Sequence, residues 1–132
     1  MSESSDSDAA DLVVAVDDHR LEADWLGDAP ATRDAIADAL PLSDDAARWG
    51  EELYIPIPVD VPAENARAEV PVGALAYWPA GNALCLFWGA TPASEGDEPR
   101  AASPVNVFAR VRDVSPLAEL EDGGARLGLE RR

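Results

Sequence analysis

Hydrophobic and polar positions alternate with a period of two through most of this chain, and one stretch alone keeps a helical period. Leu12 to Val16 is an apolar run. After the turn formers Asp17, Asp18 and His19, residues Leu21, Ala23 and Trp25 share a face, which predicts a β-hairpin. Between Gly27 and Pro41, Ile36 and Leu40 lie four apart, on one face with Ala39 or Thr32. That spacing predicts a short amphipathic helix of about ten residues that ends at Pro41. A helix so short cannot form a core alone, so it must plug or cover a sheet. The period then returns to two: Leu53, Ile55, Ile57 and Val59 alternate with Glu52, Tyr54, Pro56 and Pro58. The two prolines cannot donate ladder hydrogen bonds, so this strand is either an edge or leaves its sheet partway.

Gly73 to Pro92 contains no charged residue, although 27% of the chain is charged. Gly73–Trp78 and Ala83–Trp88 read as two strands joined by a tight turn at Pro79–Asn82, with Asn82 suited to a left-handed backbone position. Ala83–Trp88 is apolar on both faces, which predicts a central strand covered twice. Gly89 to Pro104 reads as a long surface loop, functional or disordered. In the last long strand Val105, Val107, Ala109 and Val111 fall on one face, and Asn106, Phe108 and Arg110 on the other. Ser115–Leu120 makes one terminal helical turn with Leu117 and Leu120 inward. The expected organisation is an acidic disordered leader, 1–10, one domain, 11–120, and a flexible tail, 121–132, whose paired glycines suggest fraying. Six to eight strands with one helix, in a chain that must hide its edges, predict a mainly β fold: a closed antiparallel β-barrel.

Charge narrows the partners. The chain has 26 acids against 10 bases, a net charge of -16, and every base is an arginine. This is the composition expected of a protein adapted to concentrated salt, where the screening length falls to about 3 Å near 1 M and self-repulsion is quenched. The alternative is an acidic face made for a basic partner. Either way nucleic acid is excluded as a partner, since phosphate neutralisation needs clustered bases. No apolar run approaches the roughly 18 residues of a membrane span, and the acidic start lacks the features of a secretory signal. A cytoplasmic protein, monomeric or a small homo-oligomer, is expected. One cysteine, Cys85, and one histidine, His19, exclude an internal disulfide and leave neither a metal centre nor a catalytic triad in view; no cofactor is implied.

Four ordered motifs carry a family resemblance: Thr32–Leu40 (TxxAIxxAL), Arg48–Tyr54 (RWGEELY), Tyr77–Pro92 (YWPAGNALCLFWGATP) and Ala102–Val111 (ASPVNVFARV). Together, over roughly Leu12 to Leu120, they resemble the small single-domain prokaryotic branch of the cyclophilin-like fold. The resemblance implies the antiparallel barrel of peptidyl-prolyl isomerases. Cyclophilins clamp proline in an apolar pocket while an arginine hydrogen-bonds near the prolyl nitrogen, which weakens the resonance behind a barrier of about 18–20 kcal/mol. Here the corresponding stretches read ELYIPIPVD and LCLFW. Neither that arginine nor the family's glutamines stand at matching positions, so no catalytic role passes to any residue.

The candidate ligand-binding residues are therefore Arg48, Trp49, Glu52, Tyr77, Trp78, Phe87, Thr91, Asn106 and Arg110. Arg48, Trp49 and Glu52 offer charge and an indole to a pocket rim, or else pair and pack locally. Of Tyr77, Trp78 and Phe87, about half must fill the core, because strand side chains alternate. Asn106 either bonds the long loop near Thr91 or faces a ligand, since a buried amide must be hydrogen-bonded. The expected function is to bind an apolar or proline-containing peptide, or a small molecule, with isomerase activity weak or absent. The alternatives are an isomerase that uses Arg48 or Arg110, or a small-molecule carrier that keeps only the fold.

Overall fold

The computed structural model describes residues 9–120 and 125–132. Nine strands form: β1 (Leu12–Val16), β2 (His19–Trp25), β3 (Leu42–Arg48), β4 (Glu52–Pro56), β5 (Arg67–Glu69), β6 (Ala74–Trp78), β7 (Ala83–Phe87), β8 (Arg100–Val111) and β9 (Ala125–Arg131). They are joined by one helix, α1 (Pro30–Ala39), and one 3-10 turn (Ser115–Glu119). Strand order is β2-β1-β9-β3-β4-β7-β6-β8, and β2 pairs with β8 to close a ring of eight, with β5 outside it along β8.

Inside the ring, alternation fills the space. Leu53 and Ile55 of β4, Leu75 and Tyr77 of β6, and Leu84 and Leu86 of β7 all join one buried cluster with Leu12, Val14, Leu127 and Leu129. Ile36 links α1 to that cluster. On the ring, alternation breaks in β8. Leu75 pairs with Ala109 but Ala76 pairs with Val107, so Phe108 is the extra residue of a bulge. Before the bulge Val105 and Val107 face outward; after it Ala109 and Val111 face inward. The single face expected for those four residues is thus corrected: an inserted residue reverses strand phase.

Four strands depart from the sequence-based expectation. Residues 125–131 are not a loose tail. They form β9 between β1 and β3, with Leu127 and Leu129 buried. β3 adds a strand where none was expected, because Ser43, Asp44 and Asp45 are all exposed and mask its period. β5 interrupts the connection from Val61 to Val70, and β8 starts at Arg100, which shortens the long loop. The expected leader lies largely outside the described residues, as does the 121–124 part of the expected tail. β4 lies between β3 and β7 and ends at Pro56, so it leaves the sheet partway rather than forming its edge.

Candidate functional site

The strands that fill the core with leucines on one face carry small residues on the other. Ala74 and Ala76 of β6 and Ala83 and Cys85 of β7 point outward into a second buried cluster with Phe87, Val105 and Val107. Cys85 lies between Tyr54 on β4 and Ala76 on β6. Larger groups surround these small ones, and a depression results. It is a cavity of about 260 Å³ lined by Trp49, Glu52, Tyr54, Trp78, Cys85, Ala101, Ala102 and Val105.

Two glycines bring the rim indoles into place. Gly50 follows Trp49 in the β3–β4 turn at φ 63°, and a Cβ there would lie 2.7 Å from the Thr91 backbone. Trp49 N–H donates to the Glu52 carbonyl (2.9 Å), which closes that turn. Gly81 lies under the Trp78 ring, where a Cβ would come within 2.4 Å. The Trp78 indole N–H donates to Ser103 Oγ at 2.6 Å, tying β6 to the start of β8.

Glu52 is the acid of the site, and it is only 6% exposed. Burial pushes its carboxyl up to about 7, partly opposed by a hydrogen bond from the Cys85 thiol. Burial raises the thiol well above its usual range, and the neighbouring carboxylate adds to this. Cys85 is therefore a protonated donor and a poor nucleophile at neutral pH. Among the described residues no group of three or more His, Cys, Asp or Glu is placed to hold a metal ion.

Of the nine sequence-predicted residues, Trp49, Glu52 and Trp78 share this cavity. Phe87 is fully buried in the outward cluster, opposite Glu52. The other five lie elsewhere. Tyr77 turns into the core, where its hydroxyl donates to the Val59 carbonyl (2.7 Å) and accepts from Asn82 Nδ2. Asn106 is fully buried and spends its amide on partners other than Thr91. Its carbonyl accepts from Glu64 N–H, and its amide donates to Thr32 Oγ1 and the Pro62 carbonyl. Glu64 in turn accepts from the Ala31 and Thr32 N–H groups, so Asn106 holds the start of α1. Thr91 latches its own loop to the Arg100 carbonyl. Arg48 bonds the Gly50 carbonyl and lies 5.3 Å over the Trp88 ring, and Arg110 bonds the Val72 carbonyl.

Tyr54 and Cys85 were missed as site residues, yet both carried a signal. Tyr54 is two positions beyond Glu52, and Cys85 two beyond Ala83, so each shares an outward face with its partner.

A family model described as cyclophilin-like matches residues 10–127. The chain belongs to the cyclophilin-like family. The family match thus reaches into β9, consistent with that strand's place inside the ring. The cyclophilin-like chain is also similar to a hypothetical protein of Archaeoglobus fulgidus known from its solution structure. The two are 36% identical with a TM-score of 0.76, over 94% of this chain and 95% of that one. No curated protein matched. No helix among the described residues is long and apolar enough to cross a membrane.

Proposed function

We propose that this cyclophilin-like chain is a binding module, a closed antiparallel barrel whose outward cavity takes one small group. That group is the proline ring or an apolar side chain of a peptide, or a small molecule of similar size. The observation that carries the reading is the cavity itself: indoles and a phenol around a floor of small residues, with one carboxyl. Ligand sites have this mostly apolar character with few polar groups, although drug-sized ligands need about 300–1,000 Å³. A volume near 260 Å³ supports a single ring or side chain. Isomerase activity is weak or absent on this reading, because among the described residues no arginine lines the cavity to bond a prolyl nitrogen. Family membership supports the barrel and leaves activity to be argued from the site.

Titration of tryptophan fluorescence with N-acetylproline methylamide in concentrated salt tests the reading. Saturable quenching that disappears in Trp78→Ala is expected, and a flat titration sinks it. A proline-peptide isomerisation assay is expected to run at the uncatalysed rate. Acceleration abolished by Arg48→Ala would put an isomerase in place of the binding module.

A further inference from the structure

Resting on that reading, we infer that the ligand of this cavity presents a monovalent organic cation, an alkylammonium or pyrrolidinium head, to Glu52 within the ring of Trp49, Tyr54 and Trp78. Three of the eight lining residues are aromatic, two of them tryptophan, and one is a carboxylic acid. Aromatic faces attract cations through the ring quadrupole, the indole most strongly, and the attraction grows as the site is desolvated. A carboxylate buried to 6% exposure is costly to keep ionised unless a cation pairs with it; otherwise it takes a proton. No arginine or histidine stands among the lining residues, and the thiol of Cys85 is a weak donor.

The same lining discriminates against other ligands. An anion would meet the Glu52 carboxylate at contact distance. A hard inorganic cation takes six or more oxygen ligands, and here the lining side chains offer oxygen only from the Glu52 carboxyl and the Tyr54 phenol. A weakly hydrated organic cation needs only the carboxylate and the rings. Its charge also keeps its hold in concentrated salt, because contact inside a cavity is screened far less than contact on a surface.

The geometry sets a pH dependence. The titratable groups facing Glu52 are Cys85 from β7 and Tyr54 from β4 itself; the β3–β4 turn, β6 and β8 contribute Trp49, Trp78, Ala101, Ala102 and Val105. A cation binds the ionised carboxylate and a neutral ligand has no such need, so cation affinity rises as pH passes through the Glu52 titration near 7.

The test compares N,N-dimethylpyrrolidinium with neutral N-acetylpyrrolidine by calorimetry and tryptophan fluorescence at constant high salt. At pH 8 the cation is expected to bind at least tenfold more tightly than the neutral probe. From pH 8 to 6 its affinity falls about tenfold, while that of the neutral probe stays level. Glu52→Gln is expected to lose the preference for the cation over the neutral probe. Equal affinities at pH 8, or a preference that survives Glu52→Gln, overturn the inference. Binding of the neutral probe without the cation removes the inference and leaves the binding module standing; binding of neither removes both. The wild-type pH series decides the matter even if the variant fails to fold.

Discussion

The two faces of β6 and β7 are made by the same ten residues and have opposite fates. Inward, Leu75, Tyr77, Leu84 and Leu86 meet other side chains all round and leave nothing exposed. Outward, Ala74, Ala76, Ala83 and Cys85 are just as buried but far smaller, with Phe87 and Trp78 as the large side chains of that face, and beside the small ones lies the cavity. Burial alone therefore does not mark a core; the volume of the buried side chains decides whether a face closes or stays hollow. A hydrophobic run with no charge can hold both results at once, one per face.

Replacing neighbours breaks the comparison most directly. Leu86→Ala is expected to cost about 3–4 kcal/mol in denaturant unfolding, and Cys85→Ala about 1 or less, because only the first opens a hole in a filled core. Equal costs would mean that the two faces are packed alike. The next effect is electrostatic. Glu52 titrates near 4.5 when unfolded and near 7 in the folded chain, so its contribution is fully present below 4.5 and lost as pH rises through 7. Relative to Glu52→Gln, the wild type is expected to lose about 3 kcal/mol over that window. A stability difference between the two that stays level with pH would mean that the outward face is not desolvated. Tyr77→Phe removes a hydroxyl bonded to Val59 and Asn82 and is expected to cost about 1–2 kcal/mol, with prolyl-ligand binding unchanged. Ala102→Val is the mildest change, on an exposed residue at the cavity edge. Stability is expected to move by less than about 0.5 kcal/mol while prolyl-ligand affinity drops about tenfold. An unchanged affinity would separate the cavity from binding.

Where one period runs unbroken, the fold was legible. The hairpin at Asp17–Asp18, the helix at Pro30–Ala39, the alternation through Leu53–Val59 and the doubly covered strand Ala83–Phe87 all follow from spacing. Legibility failed where polar residues or an insertion hid the period. In β3 three consecutive exposed side chains do so, and in β8 the bulge at Phe108. β9 is different, because Leu127 and Leu129 do alternate with Arg126, Gly128 and Glu130, but the paired glycines just before them favour irregular backbone over a strand. The site was half legible for a related reason. The polar motif Arg48–Tyr54 and the uncharged aromatic segment marked Trp49, Glu52 and Trp78 as candidates, whereas Asn106 and Tyr77 needed three-dimensional partners to be recognised as ties between segments.

The position of β9 bears on how the chain comes to exist. β1 has one neighbour nearby in sequence, β2, and the other more than a hundred residues downstream. While a ribosome adds residues at about 5–20 per second, the far edge of β1 must wait many seconds for Arg131 to emerge opposite Leu12. An open edge of that kind invites pairing with another nascent strand. Its alternate residues Val13 and Ala15 sit only half-buried even in the finished ring. In dilute solution a net charge of -16 sets a repulsion between unfinished molecules that opposes such pairing, and concentrated salt removes it.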